Sequence, residues 1–312
     1  MKIVKYQNKR IRIPVLLGPT AVGKTEIALK IAAENNWDIL SCDSRQIYRH
    51  MDIGTAKPKR NQLNLVKHWM IDEILPSQQY SAYRFSEKSA DIIRALAGQN
   101  KTVLICGGTG LYFRSLSEGF CNHVESDPEL KNQLINRGKE QGSGALYKEL
   151  SEVDPQSAMK LHQNDMQRII RALAYFYQTG TSLLQSGSRN NVPEDMEFIV
   201  VKVDIERPEL YYRINRRVEM MFSDGLYEEF RQLRENGFNS SSPGMQTLGY
   251  RELFALEEGK ITKQEAVDII QRNTRRYAKR QITWFMHQVN GIHMNCLYYE
   301  KIRNYILRRL SI

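Results

Sequence analysis

Apolar and polar positions change their period several times along this chain, and each change marks an element. Ile11 to Leu17 is a β-rich run that stops at a glycine, and beyond it Ile27, Ala28, Ile31 and Ala32 recur at helical spacing. That segment reads as strand, loop and helix. A second strand is expected over Asp38 to Cys42 and a third over Trp69 to Ile74. From Ala82 to Leu96, the residues Phe85, Ile92, Ile93 and Leu96 share the inner side of a helix. Thr102 to Cys106 is a short apolar run halted by Gly107 and Gly108, the pattern of a strand buried on both faces. Strands alternating with helices predict an α/β fold with a parallel sheet.

After Gly119 the pattern shifts. Between Ser126 and about Asn191 there are helical periodicities and polar loops, punctuated by Gly142-Ser143-Gly144 and Ser186-Gly187-Ser188, without a strand signal. Phe198 to Asp204 restores a sheet-like run, and the chain from Arg207 onward looks almost wholly helical. The expected organisation is a core of residues 1–121 and 196–312, with C-terminal helices, interrupted by a helical insertion over 122–195.

Composition narrows the class. With 312 residues, 41% apolar and 26% charged, the chain matches a globular protein of one large or two modest domains. Its 45 Lys and Arg against 35 Asp and Glu, a net +10, leave a polyanion such as nucleic acid open as a partner. Cys42, Cys106, Cys121 and Cys296 have no C-x-x-C spacing, which argues against a zinc site or a disulfide framework and fits a reducing compartment. The basic N-terminal stretch is followed only by Pro14 to Leu17, too short for a signal-peptide core, and no run approaches the roughly 18 apolar residues of a membrane span. A cytoplasmic protein without membrane attachment is expected, and a monomer, since no exposed apolar seam is visible.

Gly18-Pro19-Thr20-Ala21-Val22-Gly23-Lys24-Thr25 matches the phosphate-binding P-loop in full, between a strand and a helix. In such a loop backbone N–H groups face an anion, Lys24 adds a point charge, and the Thr25 hydroxyl can hold Mg²⁺. The fold class expected is therefore α/β, a P-loop core with a parallel sheet, a helical insertion and a helical C-terminal region. A nucleotide hydrolase also needs an acid closing a later apolar strand. Here that strand ends in Cys106-Gly107-Gly108-Thr109-Gly110. Asp43 does stand at the end of the second strand, where open α/β folds bind ligands, although a turn-forming aspartate would read the same way. Thr109 is likewise either a ligand contact or the cap of the helix from Leu111.

Several longer motifs point further. Asp43-Ser44-Arg45-Gln46-Ile47-Tyr48, Met51-Asp52-Ile53-Gly54-Thr55-Ala56-Lys57-Pro58, Gly107-Gly108-Thr109-Gly110-Leu111-Tyr112, Asn164-Asp165-Met166-Gln167-Arg168-Ile169-Ile170-Arg171, Gly249-Tyr250-Arg251-Glu252 and Ala278-Lys279-Arg280-Gln281-Ile282-Thr283-Trp284-Phe285 follow in one order. Together with the P-loop they closely resemble the tRNA dimethylallyltransferases, over about residues 13 to 287. The absence of a cysteine–histidine finger after them points to the bacterial type. Two departures are local: Lys67-His68 stands where the family usually has a histidine pair, and Ala174 where an acid is common.

The resemblance implies transfer of a dimethylallyl group from dimethylallyl diphosphate to N6 of the adenosine immediately 3′ of the anticodon, giving N6-isopentenyladenosine and diphosphate, with Mg²⁺. It implies Asp43 as general base, Thr109 as donor to the bridging oxygen, and Arg217 at the diphosphate, alongside Gly18, Thr20, Ala21, Val22, Gly23, Lys24, Thr25 and Arg213. Asp43, Ser44, Arg45 and Gln46, with Asp165, Met166, Gln167, Arg168 and Ile169, are implied to meet the tRNA anticodon stem-loop. Arg272, Arg275, Arg276, Lys279 and Arg280 add a basic stripe about 140° wide on one helix, with no Asp or Glu from Ile269 to Tyr299, and are expected to track RNA phosphates. Two other readings share part of this pattern: a P-loop kinase or NTPase, and a nucleic-acid-binding regulator with a vestigial P-loop.

Overall fold

The computed structural model describes residues 10–121, 127–183, 189, 190 and 192–311. Contacts divide the chain into two units, one made of the residues up to Ser117 and from Pro193 onward, the other of Glu118–Val192. The expected loop at Ser186-Gly187-Ser188 and residues 1–9 lie outside the described residues.

In chain order the strands are β1 (Ile11–Leu17), β2 (Asp38–Cys42), β3 (His68–Trp69), β4 (Val103–Gly107), β5 (Phe120–Cys121), β6 (Arg189–Asn190), β7 (Met196–Asp204) and β8 (Ile292–Asn295). Six of them form one sheet in the order β3-β2-β4-β1-β7-β8, every neighbour parallel. The strands β2 and β4 are buried along their whole length: β4 is an uninterrupted apolar run, whereas β2 also buries Asp38, which accepts from Trp69 Nε1 (2.9 Å), and Ser41, which donates to Gln46 (2.9 Å). The first unit also contains α1 (Lys24–Asn35), α2 (Arg60–Leu65), α3 (Ala82–Gly98) and most of α4 (Gly110–Glu118).

One face of the sheet presents Leu16, Leu104, Val201 and Val203 to Ile27, Ala28, Ile31 and Ala32 of α1. The alternation of strand side chains turns Phe198 the other way, where it meets Phe113 of α4 edge-on with ring centroids 5.6 Å apart. Past β7 run α9 (Arg207–Ser223), α10 (Leu226–Glu235), α11 (Leu253–Glu257), α12 (Lys263–Gln288) and α13 (Tyr299–Ser311). The start of α12 is fixed by a capping box between Thr262 and Glu265. Its end is held by Lys202 of β7, a buried lysine whose Nζ donates to the carbonyls of Phe285 (3.2 Å) and Val289 (2.8 Å).

The second unit is built from α5 (Pro128–Gln141), α6 (Ser143–Val153), α7 (Pro155–Lys160) and α8 (Met166–Thr179), whose core gathers Leu134, Leu146, Leu150, Ile169, Ile170 and Leu173. The break at Gly142 holds, with φ 82° between α5 and α6, but Ser143 and Gly144 already belong to α6. Ala174 is buried in this core, a place where an acid would need its own partner.

Three expectations change. The third strand is confined to His68–Trp69, because positive φ at Met70 (63°) and Asp72 (57°) turns the chain; only a bridge between Tyr48 and Ile74 continues the pairing. The reading of the chain after Arg207 as almost wholly helical did not include β8, a four-residue edge strand too short to show a period. Between Ser126 and Asn191, where no strand was expected, Arg189–Asn190 pairs antiparallel with Phe120–Cys121. Among the described residues no helix is long and apolar enough to cross a membrane.

Candidate active site

The P-loop leaves β1 at Gly18, whose N–H donates to the carbonyl of Gly107 (3.3 Å). A side chain at Gly18 would stand 2.6 Å from the carbonyl oxygen of Val203, so only glycine lets the loop pass. Positive φ at Ala21 (64°) and Gly23 (98°) completes the turn, and Gly23 starts α1 without any side-chain cap. The first N–H groups of the helix thus remain available to an anion. Lys24 Nζ rests on the carbonyl of Pro19 at 3.1 Å. Burial pulls Lys24 below the ordinary lysine value, with Cys106 and Asp43 acting against that fall.

Two arginines of α9 reach this loop differently. Arg217 Nη1 donates to Thr20 Oγ1 (3.4 Å), and burial lowers its pKa against the pull of Asp43. Arg213 is occupied: Nε donates to Glu209 (2.7 Å) and Nη1 to the carbonyl of Val22 (3.3 Å), so it braces the backbone of the loop. From α12, Gln281 accepts the Thr20 N–H at 2.9 Å.

Parallel pairing of β2 with β4 sets the second half of the site, because their carboxyl ends emerge side by side. Asp43 Oδ1 accepts the N–H of Arg45 at 2.8 Å, a turn that holds the carboxylate at the sheet edge. Thr109 Oγ1 accepts the N–H of Ser44 (2.9 Å) and donates to Ser44 Oγ (3.3 Å), while the Thr109 N–H donates to the carbonyl of Cys42 (3.1 Å). Gly107 allows the approach, since a Cβ there would fall 2.0 Å from the Cys42 carbonyl oxygen. Gln46 accepts from Ser41 Oγ (2.9 Å) and donates to the carbonyl of Ala56 (3.1 Å). Tyr277 of α12 also belongs here: burial, and next the charge of Asp43, push its phenol up to about 12.

Asp43, Thr109, Lys24, Thr20 and Arg217 therefore surround one place at the carboxyl edge of the sheet, and β4 ends there without an acid. A cleft of about 260 Å³, lined by Gly18, Pro19, Val203, Ile282, Phe285 and Met286 among others, lies on the β7 side of β1, away from Asp43. Among the described residues no three His, Cys, Asp or Glu side chains could hold a metal by themselves. A hard cation such as Mg²⁺ would be held here by the Thr25 hydroxyl together with oxygens of the bound substrate, and would neutralise charge on that substrate.

Comparison with known proteins decides what this constellation belongs to. The model of the family described as IPP transferase matches residues 46–288. A tRNA dimethylallyltransferase of Acetivibrio thermocellus is 42% identical, covering 87% of this chain and 87% of its own. The chain belongs to the IPP transferase family. A tRNA dimethylallyltransferase of Halothermothrix orenii is 38% identical over 99% of this chain and 97% of its own. The full-length tRNA isopentenylpyrophosphate transferase of Bacillus halodurans superposes with a TM-score of 0.71 at 33% identity, covering 97% of each chain. These relatives are transferases and lend no support to the kinase reading.

Several motifs shared with the IPP transferase family are framework. The buried Nζ of Lys57 donates to the carbonyl of Tyr48 (2.6 Å), to Asp52 (2.6 Å) and to Asp72. The Glu229 carboxylate of α10 accepts the N–H groups of Asp52 (2.8 Å), Ile53 (2.9 Å) and Gly54 (3.3 Å) and the hydroxyl of Tyr250. Glu252 accepts from the Gly249 N–H (2.8 Å) and from Asn273 of α12 (3.0 Å). Sequence reasoning missed Tyr277, Gln281 and Glu229. The signal available for the first two was a polar and aromatic pair four residues apart on the inner face of α12, where an amphipathic helix would place apolar residues.

The residues expected to meet RNA divide in two. Ile169 is fully buried in the core of the second unit and Met166 packs against that core, so their side chains are structural, as the apolar stripe of α8 dictates. Tyr177, further along α8, is 43% exposed. Gln167 and Arg168 are exposed, and Asp165 caps α8 by accepting the N–H of Arg168 (3.4 Å). In the first unit Arg45 is exposed, Ser44 is tied to Thr109, and Gln46 is used within the framework. On α12, Arg272, Arg276, Lys279 and Arg280 are exposed, and none has an ion-pair partner among the described residues. Arg275 leaves that stripe: it donates to Asn215 of α9 and packs between the helices.

Proposed function

We propose that this chain transfers the dimethylallyl group of dimethylallyl diphosphate to N6 of the adenosine immediately 3′ of the anticodon in tRNA. The observation that carries the reading is a P-loop that faces Asp43 and Thr109 where a nucleotide hydrolase would hold a second acid. The leaving group gathers negative charge, which the loop amides, Lys24 and Arg217 stabilise in the transition state without activating water. Mg²⁺, when bound beside Thr25, supplies further charge neutralisation on the diphosphate.

The amine is a weak nucleophile because its lone pair is delocalised into the purine. As N6 bonds to C1 of the allyl group, the C1–O bond breaks, diphosphate leaves with the electron pair, and Asp43 takes the N6 proton. Thr109 stands beside Asp43 with a hydroxyl that can turn from Ser44 Oγ to the bridging oxygen. Arg213 serves as a brace of the loop, and Arg217 as the arginine at the diphosphate. An unpaired base of a tRNA loop is the substrate such a site can admit, since it can leave its stack. Arg45, Gln167, Arg168 and the exposed residues of the α12 stripe provide the RNA contacts.

Incubation with labelled dimethylallyl diphosphate or labelled ATP, with and without tRNA, tests the reading. The allyl label should become bound to tRNA in a Mg²⁺-dependent way while ATP stays intact. ATP turnover with no labelled tRNA would replace this reading with the kinase or NTPase.

A further inference from the structure

The amide of Gln281 joins the two loops of the site. Its Oε1 accepts the N–H of Thr20 in the P-loop (2.9 Å), and its Nε2 donates to the carbonyl of Gly108 at the end of β4 (2.8 Å). The side chain is 7% exposed, and Gly108 has no Cβ to displace it: one built there would lie 2.5 Å from Gln281 Nε2. The carboxamide offers an acceptor and a donor in one plane at this reach without any change of charge. The N–H of Thr20 is thereby spent, which removes it from the amides that can face a phosphate. Arg217 holds the hydroxyl of the same residue at 3.4 Å.

We propose that Gln281 is a positioning residue that fixes the spacing between the diphosphate loop and the Gly107–Gly110 turn carrying Thr109. The inference rests on the prenyl-transfer reading. The two loops leave neighbouring strands but have one other direct backbone tie, Gly18 N–H to the Gly107 carbonyl at 3.3 Å, at their very base. Gln281 ties them again further out, at Thr20 and Gly108. It does so from the helix that also carries Arg276, Lys279 and Arg280, so the residues turned to solvent and the residue that sets the donor loop are consecutive on α12.

The test compares the wild type with Gln281→Met, which keeps length and removes both hydrogen bonds, and Gln281→Glu. Binding of dimethylallyl diphosphate is measured by calorimetry without RNA, tRNA binding separately, and kcat and KM for the donor together. Gln281→Met should weaken donor binding and raise its KM about tenfold or more, as loss of two neutral hydrogen bonds implies, and leave tRNA affinity within about twofold. In Gln281→Glu the protonated carboxyl can still accept from Thr20 and donate to Gly108. The ionised form faces the Gly108 carbonyl and the diphosphate with like charge. Donor affinity of Gln281→Glu should therefore approach that of the wild type at acid pH and fall as the introduced carboxyl ionises. Every other ionisable group is common to both proteins, so the difference between the two profiles isolates that carboxyl.

Donor binding and kcat unchanged in Gln281→Met, or tRNA affinity lost with donor binding intact, would overturn the inference. If Gln281→Met does not fold, the profile of Gln281→Glu decides, and one parallel to the wild type overturns it. Failure of the wild type to bind dimethylallyl diphosphate at all would instead remove the functional reading on which it rests.

Discussion

Asp43→Asn separates the proposed chemistry from the architecture around it. Asparagine keeps the Oδ1 that accepts the Arg45 N–H at 2.8 Å, so the turn and the sheet edge stay as they are. The substitution removes a carboxylate whose charge acts on both Lys24 and Arg217, so the donor pocket becomes more positive. Donor affinity should hold or improve. The chemical step should slow by about 10²- to 10⁴-fold, the usual range for loss of a general base, equivalent to about 2.7–5.4 kcal/mol of barrier. Single-turnover transfer of labelled allyl group with enzyme in excess over tRNA reads the step, and calorimetry reads the donor. A rate within tenfold of the wild type would demote Asp43 to a structural acid. A slowed rate accompanied by an equal loss of donor affinity would show that its contribution is to binding, through the metal or the loop.

Burial lowers the Lys24 pKa in the empty site, and a bound diphosphate favours the charged form, so donor binding takes up a proton wherever Lys24 is neutral. Donor affinity should thus be flat below the lowered value, fall as pH rises through it, and lose that fall in Lys24→Arg; a flat wild-type profile through the alkaline range refutes it. Arg276→Ala with Lys279→Ala should reduce the slope of log tRNA affinity against log salt by about 1.4–1.8 units and leave donor binding alone. Coincident slopes in a salt series would take the stripe off the RNA. Gly54→Ala places a Cβ 2.4 Å from Cε2 of Tyr250, an overpacking that should cost about 1–3 kcal/mol and lower both Tm and kcat, since the same loop holds Gln46. A Tm equal to the wild type would mean that the loop yields freely.

What was legible in the sequence follows physical rules of short range. The strand over Ile11–Leu17, the P-loop and α1 were readable because strand periodicity, glycine geometry and helix periodicity meet within a few residues. The strand β2 was readable from its short apolar run at Ile39 and Leu40, although the strand also buries the polar Asp38 and Ser41. The bounds of β3 and the presence of β8 were not, because a two- or four-residue edge strand owes its place to a neighbour distant in sequence. The same limit explains the site. Asp43 and Thr109 announce themselves by standing at strand ends, whereas Gln281 meets Thr20 across 261 positions and Glu229 meets Asp52 across 177. Motif resemblance misled at Ile169, and helical periodicity at Arg275. Ile169 was grouped with RNA-contacting residues through its motif, yet the stripe it shares with Ile170 and Leu173 puts it in the core. Arg275 shares a basic stripe whose edge turns out to face α9.

The polar residues buried away from the reacting atoms have one common consequence. Lys57, Glu229 and Tyr250 hold the segment from Tyr48 to Lys57, that segment receives Gln46 at Ala56, and Gln46 in turn holds Ser41 two residues before Asp43. Glu252 and Asn273 fasten α12, whose far end Lys202 caps and whose middle supplies Gln281 and Tyr277. Glu229, Asn273, Lys202 and Gln281 have partners on other elements, so shifting one leaves a donor or acceptor unpaired, at a cost of about 1–3 kcal/mol apiece where that group is buried. A general base and a leaving-group loop that come from different strands must be held to within a fraction of an ångström for the transfer to proceed. Apolar packing alone, being non-directional, would not hold them there. Hydrogen bonds with fixed partners do.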